Sequence, residues 1–187
     1  MKKYIKKNVS IDVVKQLHEK FNLSKLEASI LARRNITSSN SLLYYLEDDL
    51  RFSHIPFLLK NMEDAVERIL AAKEEGEKVL IFGDRDVDGI TSTAILYSYF
   101  KSQGMDISYR LPVGEDAYGL SIAAIDDFAK NYGSLIITVD CGISNIKEID
   151  YANSLGIDVI VTDHHNPPEV LPNALTIIDQ IGRAHVW

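Results

Sequence analysis

Cysteine is almost absent from this chain, and so are long hydrophobic runs. The 187 residues include one cysteine, Cys141, which excludes a disulfide framework and a zinc site built from thiolates. No apolar segment approaches the roughly 20 residues that span a bilayer. The lysines near the N-terminus precede no apolar core, so we expect no signal peptide. These absences predict a cytoplasmic protein without a membrane partner.

Basic residues are the second shortage. The chain carries 20 Lys and Arg against 27 Asp and Glu, a formal net charge of −7. This balance argues against a partner captured by a general positive field, although a local basic groove for nucleic acid remains compatible with it. It also suits a site in which carboxylates hold cations. Hydrophobic residues make up 46% and charged residues 25% of the chain, which is typical of a globular protein and excludes general disorder.

The first 60 residues predict a helical extension. Apolar residues recur at helical spacing from Ile11 to Phe21. Ser24 and Glu27 form a capping-box pattern at the start of the next helix. We expect Asn40 to cap a short helix over residues 42–46.

Asn61 is expected to cap a helix over residues 62–73. From Lys78 onward the pattern changes to an alternation of short apolar strands and helices. The expected helices are residues 62–73, 90–103, 122–132 and 146–155, and the four expected strands are residues 79–82, 107–111, 135–139 and 159–162. The strands are apolar on both faces, which is typical of a parallel sheet with helices on each side. We therefore predict an α/β fold, a doubly wound, mainly parallel sheet preceded by short N-terminal helices.

Polar side chains follow three of the four strands. In such folds, ligands bind beyond the carboxyl ends of the strands. The residues at this edge are Asp84, Asp86 and Asp88 after the first strand, Asp140 after the third, and Asp163, His164 and His165 after the fourth. Taken singly, each has an ordinary interpretation as a turn, a helix cap or a surface histidine. Together, the five carboxylates would repel one another, and any buried one needs a partner.

A divalent cation is the simplest partner for this cluster. Carboxylates with imidazoles suit Mn²⁺ or Mg²⁺, and the imidazoles favour Mn²⁺, whereas zinc is less favoured without thiolates. We expect two ions, because the ligands exceed what one octahedral site needs. A site of this kind is typical of phosphoryl chemistry, in which the metal activates water and neutralises phosphate oxygens.

Small and polar residues open the helix after the third strand. The backbone N–H groups near Gly142 and Ser144 are candidates to bind a phosphate. An ordinary turn capped by Asn145 explains the same residues equally well. Cys141 has no evident basic partner, so we expect it to fill space in the core and not to act as a nucleophile.

Four motifs in register resemble those of the DHH phosphoesterase superfamily. They are GDRDVDGITSTA at 83–94, YGLS at 118–121, ITVDCGIS at 137–144 and VTDHH at 161–165. Within the superfamily they are most similar to the branch of single-strand-specific 5′→3′ DNA exonucleases, and the resemblance covers about residues 42–179. It implies metal-dependent phosphodiester hydrolysis that releases 5′-mononucleotides during recombination and repair. It also implies single-stranded DNA as substrate and single-strand-binding protein as a partner.

The resemblance assigns roles to individual residues. It implies metal binding by Asp84, Asp86, Asp88, Asp140 and His164. His165 corresponds to a residue that contacts the scissile phosphate, and Asp163 to the acid of the DHH triplet, so both are candidate catalytic residues. Arg85 stands where many relatives have tyrosine, and either contacts a phosphate or pairs with neighbouring aspartates. The candidate substrate-binding residues are Arg85, Gly142, Ser144 and His165.

The chain is expected to be the N-terminal part of a longer enzyme. The resemblance implies a further metal-binding aspartate and a C-terminal lobe that are missing here, so this chain alone should be weakly active. We predict a helical extension over residues 1–60, a truncated DHH domain over 61–179 and a non-native tail over 180–187, whose histidine and tryptophan we exclude from any site.

Two other functions fit the same motifs. One is a DHH phosphoesterase that acts on short oligonucleotides or cyclic dinucleotides. The other is a catalytically inactive relative that serves as a replication scaffold. Such scaffolds lose the aspartates and histidines that this chain retains, which argues against the second.

Overall fold

A computed structural model describes residues 5–47, 49, 51, 54–114 and 118–179 of the chain. These residues belong to two compact units, and the boundary between the units lies between Ile55 and Pro56. The predicted tail at 180–187 lies outside the described residues. No helix in the described parts of the chain has the length and apolar character needed to cross a membrane.

The first unit contains three helices: α1 (Ile11–Phe21), α2 (Lys25–Arg33) and α3 (Ser39–Leu46). The predicted capping box is present, since Ser24 accepts a hydrogen bond from the N–H of Glu27 and the Glu27 side chain accepts one from the N–H of Ser24. The predicted cap at Asn40 is wrong. Ser38 adopts the extended conformation that a cap requires, and its hydroxyl accepts from the N–H of Ser41, so the helix begins earlier.

The second unit is an α/β domain. A 3₁₀ turn (Pro56–Leu58) and α4 (Met62–Glu75) precede the sheet. The strands are β1 (Lys78–Gly83), β2 (Asp106–Arg110), β3 (Leu135–Val139), β4 (Asp158–Asp163) and β5 (Thr176–Asp179). The helices between them are α5 (Val87–Ser102), α6 (Ile122–Lys130) and α7 (Ile146–Ser154).

All neighbouring strands pair in parallel, in the order β2-β1-β3-β4-β5. The sheet has five strands, so the expectation of four was wrong. The extra strand, β5, is only four residues long and follows a loop with three prolines, so it leaves little periodic signal. β2 is largely exposed, contrary to the expectation that every strand is apolar on both faces, because it forms one edge of the sheet.

Helices cover both faces of the sheet, as predicted. On one face, Val79, Ile81 and Ile137 pack with residues of α4 and α5. On the other face, Phe82 and Ile136 pack with residues of α6 and α7. The alternation of strand side chains between the two clusters explains why both faces of the central strands are apolar. The doubly wound α/β fold is therefore confirmed.

Two asparagines that were predicted to be helix caps bind other partners. Asn61 lies at the start of α4 in a left-handed conformation without a capping bond, and its side chain donates to the carbonyl of Ile177 on β5. Asn145 precedes α7 without a capping bond and binds the backbone of Leu120 instead. Both asparagines occupy the predicted N-cap positions, but neither side chain makes a capping bond, because each binds a residue distant in sequence.

The chain leaves β1 and β3 in opposite directions along the sheet. β1 connects to β2 on one side, whereas β3 connects to β4 on the other. Such a reversal separates the two adjoining loops and creates a crevice at the carboxyl edge of the sheet. The loops after β1 and β3 carry Asp84, Asp86 and Asp140.

Candidate metal centre

The loop after β1 is a tight turn that buries one carboxylate and leaves another at the start of a helix. A Cβ at Gly89 would lie 2.4 Å from the carbonyl oxygen of Asp84, so only glycine allows this approach. Asp84 is only 4% exposed. Asp86 caps α5, because its Oδ1 accepts from the N–H groups of Asp88 (3.0 Å) and Gly89 (3.1 Å). The bond from Gly89 is the main cause that lowers the pKa of Asp86.

This cap explains why α5 begins at Val87 and not at the predicted Ile90. Helix N-caps are half-in residues whose side chains satisfy the first free N–H groups. The earlier start places Asp88 inside the first helical turn. Its side chain is exposed, whereas its backbone N–H supports Asp86.

The loop after β3 holds Asp140 in an unusual backbone conformation. Asp140 has φ of 60° and donates its N–H to the carbonyl of Thr162 at 3.0 Å. Left-handed residues other than glycine are uncommon and are concentrated at functional sites. Asp140 is 7% exposed. Burial and the neighbouring charge of Asp86 raise its pKa, although His164 opposes this effect.

Gly142 completes the turn after β3. Its φ is 110°, and a Cβ there would lie 2.3 Å from Oγ1 of Thr138. Cys141, which lies between Asp140 and Gly142 in sequence, is buried and donates weakly to the carbonyl of Phe82. Its pKa is raised mainly by burial. A thiol in this state is a poor nucleophile, as expected from the sequence.

The loop after β4 is organised around Asp163. Oδ1 of Asp163 accepts from the N–H groups of His164 (2.7 Å) and His165 (3.1 Å), and Nδ1 of His165 lies 2.7 Å from the same oxygen. Oδ2 accepts from the N–H of Ile143 at 3.0 Å. Burial opposes ionisation of Asp163, but these hydrogen bonds outweigh it and lower its pKa. Asp163 therefore orients both histidines and ties their loop to the start of α7.

Two groups of potential metal ligands share one carboxylate. The first is Asp84, Asp86 and Asp140, and the second is Asp140, His164 and His165, with the ligand atoms of each group within 4.8 Å of one another. Nε2 of His164 lies 2.7 Å from Oδ1 of Asp140. Asp140 is thus positioned between an all-carboxylate group and an imidazole group.

The residues at this edge fit a cation. Oδ1 of Asp84 is buried and has no hydrogen-bond partner among the described residues. A buried carboxylate oxygen without a donor is costly unless a cation or water satisfies it. Oxygen atoms with imidazole nitrogens are suitable ligands for Mn²⁺ or Mg²⁺.

The structure brings together most of the predicted ligands. Asp84, Asp86, Asp140 and His164 all belong to the two groups, whereas Asp88 belongs to neither. Asp88 instead lines a cavity of about 900 Å³ between α4, α5 and the sheet, together with Asp140 and His164. The metal-binding roles of all five remain predictions.

The predicted substrate contacts lie around this cluster. Arg85 is exposed, and its guanidinium donates to the carbonyl of Gly114 at 3.2 Å. Ser144 is exposed beside the buried Gly142 at the start of α7. His165 joins the ligand group containing Asp140, and its pKa is raised mainly by the hydrogen bond with Asp163.

Tyr118 lies in the YGLS motif, but the sequence pattern predicts no role for this residue. The Tyr118 hydroxyl lies 3.2 Å from the carbonyl of Asp140 and 3.4 Å from both ring nitrogens of His165. Burial and the nearby Asp84 raise its pKa, so the hydroxyl stays protonated and donates. Its position in a separate motif was the available signal.

The fold and the site together define an α/β domain in which a parallel sheet carries clustered aspartates and adjacent histidines at its switch point. Residues 78–183 match the DHH family, N-terminal domain, and the chain belongs to this family.

Several curated relatives are exonucleases named RecJ. The chain is 35% identical to the single-stranded-DNA-specific exonuclease RecJ of Bacillus subtilis over 168 residues, which are 89% of this chain and 21% of that protein. It is 45% identical to RecJ of Escherichia coli over 123 residues, 65% of this chain and 21% of that protein. The chain therefore spans about a fifth of the length of these curated relatives.

Solved structures give the same result. A crystal structure of exonuclease RecJ bound to manganese is 30% identical, with a TM-score of 0.66 over 72% of this chain and 35% of that chain. The structure of RecJ from Thermus thermophilus in complex with Mn²⁺ is 25% identical, with a TM-score of 0.68 over 91% of this chain and 23% of that one.

Proposed function

We propose that this chain is the metal-binding lobe of an exonuclease that hydrolyses single-stranded DNA from its 5′ end. The observation that carries the proposal is the position of Asp140, shared by two ligand groups at the switch point of the sheet. The relatives named single-stranded-DNA-specific exonucleases support the substrate class.

The residues that would hold the metal are Asp84, Asp86, Asp140 and His164, with Asp88 as a further candidate. The participation of imidazole favours Mn²⁺ over Mg²⁺, and the shared carboxylate suits two ions. When bound, the metal would supply Lewis acidity toward the phosphate and a lower pKa for a coordinated water. The related RecJ structures contain Mn²⁺ or Mg²⁺, which supports a divalent cation; the preference for Mn²⁺ rests on the imidazole ligands.

His165 is the candidate group for contact with the scissile phosphate. Asp163 binds Nδ1 of His165, which leaves Nε2 as the nitrogen available to a substrate. A protonated His165 would offer a positively charged donor to phosphate oxygens. Asp163 would then act through His165 as a positioning residue and would not touch the substrate.

Arg85, Gly142 and Ser144 are the remaining candidates for substrate contacts. Arg85 is exposed on the loop that carries Asp84 and Asp86, so its guanidinium is placed to approach a neighbouring phosphate. Such an enzyme would serve recombination and repair in the cytoplasm, with single-strand-binding protein as a partner. These roles rest on the relatives and on the predicted substrate.

A nuclease assay with matched variants tests the proposal. Wild-type chain with Mn²⁺ should release 5′-mononucleotides from single-stranded DNA, slowly because the chain spans about a fifth of its relatives' length. Asparagine, like aspartate, tolerates the left-handed backbone conformation of residue 140. Asp140→Asn should therefore abolish the release of nucleotides through loss of the carboxylate alone. Asp150→Asn, at an exposed position of α7, should behave as wild type.

Equal release by Asp140→Asn and wild type would contradict the proposed site. Cleavage of cyclic dinucleotides without degradation of single-stranded DNA would replace the proposed substrate with a cyclic one. DNA labelled at its 5′ end distinguishes the direction of attack, since only a 5′ exonuclease releases the labelled 5′ nucleotide first.

A further inference from the structure

We propose that Asn145 and Tyr118 form a positioning relay for the candidate metal centre, in which Asn145 fixes the YGLS segment and Tyr118 in turn fixes Asp140 and His165. This inference rests on the proposed function for its catalytic consequence. Its structural consequence can be measured independently of DNA hydrolysis.

Asn145 binds the YGLS segment through both atoms of its amide. Its Oδ1 accepts from the N–H of Leu120 at 3.1 Å, and its Nδ2 donates to the carbonyl of Leu120 at 3.2 Å. The same Nδ2 lies 3.2 Å from Oε2 of Glu148, one turn into α7. Two hydrogen bonds to one backbone residue fix both the distance and the orientation of that segment.

Gly119 makes this approach feasible. Its φ is 80°, and a Cβ at this position would lie 2.4 Å from Oδ1 of Asn145. A side chain at Gly119 would therefore displace the Asn145 amide. Leu120 is buried in the core cluster shared with α6 and α7, which anchors the segment.

Tyr118 extends from this anchored segment to two site residues. Its hydroxyl donates to the carbonyl of Asp140, and its ring meets the ring of His165 edge to face, with centroids 5.9 Å apart and an interplanar angle of 85°. The carbonyl belongs to the left-handed residue that both ligand groups share. A donor on that carbonyl restricts the turn, and the ring contact restricts His165.

The exposure of Tyr118 separates positioning from ordinary core packing. The residue is 54% exposed, so its burial contributes little to stability compared with a core aromatic. Its polar contacts instead converge on residues of the ligand group. The alternative is a loop staple, meaning that the contacts of Tyr118 and Asn145 only stabilise the loop. A loop staple predicts a lower melting temperature in the variants, with unchanged Mn²⁺ affinity and kcat.

The first experiment follows backbone amide exchange in the metal-free chain. Asn145→Ala should accelerate exchange at Leu120, and Tyr118→Phe should accelerate exchange at Asp140. The controls are Asn131→Ala, whose side chain bonds within the end of α6, and Tyr109→Phe on the exposed edge strand β2. Neither control should alter exchange at Leu120 or Asp140. Unchanged exchange in both relay variants would overturn the proposal.

The second experiment measures Mn²⁺ affinity by calorimetry and, with single-stranded DNA, kcat and KM separately. Loss of a group that orients ligands typically weakens metal binding or activity by about 10–100-fold. We expect about a tenfold loss of affinity or kcat for both relay variants, with KM and melting temperature little changed. A lower melting temperature with unchanged affinity and kcat would identify a loop staple and overturn the relay.

The outcomes separate this inference from the proposed function. A wild-type chain that binds Mn²⁺ but leaves DNA intact contradicts the proposed function, whereas reduced Mn²⁺ affinity in the relay variants still supports the relay. Normal DNA hydrolysis by wild type, together with unchanged Mn²⁺ affinity and unchanged kcat in both relay variants, contradicts the relay alone.

Discussion

The two edges of the sheet treat carboxylates in opposite ways. At the amino edge, Arg68 donates to Glu77 and Asp158, each at 2.7 Å, and Ser134 donates to Glu77 at 2.6 Å. At the carboxyl edge, among the residues that the structure describes, no Lys or Arg forms an ion pair with the clustered aspartates, whose cationic partners are limited to two histidines. The carboxylates of the amino edge are paired within the protein, whereas we expect those of the carboxyl edge to need a cation.

The comparison shows why burial and charge have to be judged together. Both edges contain acidic side chains at strand ends, so residue type alone does not distinguish them. The guanidinium of Arg68 lowers the pKa of Glu77, its largest influence. At the other edge, Oδ1 of Asp84 has no hydrogen-bond donor among the described residues. A group that is costly without a ligand is typical of a binding site.

The largest expected effect on stability comes from breaking the amino edge. Arg68→Met leaves two carboxylates without their shared donor and should lower the free energy of unfolding by about 2 kcal/mol. Urea denaturation measures this change. Arg110→Met is the control, because the ion pair of Arg110 with Asp127 is long (3.7 Å) and exposed, and such pairs contribute below about 1 kcal/mol. Equal effects of the two substitutions would show that the Arg68 network is not specially stabilising.

The second effect has the opposite sign. Asp84→Asn removes one charge from a crowded edge, so the metal-free chain should gain about 1 kcal/mol of stability. The same substitution should weaken Mn²⁺ binding, and thermal melting with and without Mn²⁺ measures both. Asp150→Asn, exposed on α7, should change stability by less than about 0.5 kcal/mol. Destabilisation of the metal-free chain by Asp84→Asn would mean that the carboxylate is satisfied without a metal.

The smallest effect concerns acid. Because the folded-state pKa of Glu77 is lowered, its contribution is present above the unfolded pKa near 4.3 and is lost as pH falls through the folded value. Glu77→Gln should therefore flatten the rise of stability with pH below about pH 4.5, by less than about 1 kcal/mol. Melting temperatures between pH 3 and 6 test this. An unchanged pH dependence would show that Glu77 does not contribute to the loss of stability in acid.

Much of the fold was predictable because its signals are local. Apolar strands, the capping box and glycines after helices mark most elements, and the rule for parallel sheets brings the polar strand ends together. β5 was missed because a four-residue strand after a proline-containing loop has no clear period. The side chains of Asn61 and Asn145, although both lie at N-cap positions, bind residues 116 and 25 positions away, and no local pattern encodes such partners.

The site was predictable as a set of residues but not as a geometry. Topology placed Asp84, Asp140 and His164 at one edge, and the structure does bring them together. The sharing of Asp140 between two ligand groups depends on its left-handed backbone conformation, which no sequence pattern predicts. The same is true of Tyr118, which lies 47 positions from His165 in sequence.

The central claim, that a cation binds at the carboxyl edge of the sheet, is tested most directly by comparing one aspartate from each edge. Calorimetric titration with Mn²⁺ of wild type, Asp140→Asn and Asp158→Asn measures whether cation binding belongs to the carboxyl edge. We expect Asp158→Asn to bind Mn²⁺ with the affinity of the wild type, and Asp140→Asn to lose at least about 100-fold in Mn²⁺ affinity. Equal Mn²⁺ affinity in the two variants would contradict this claim.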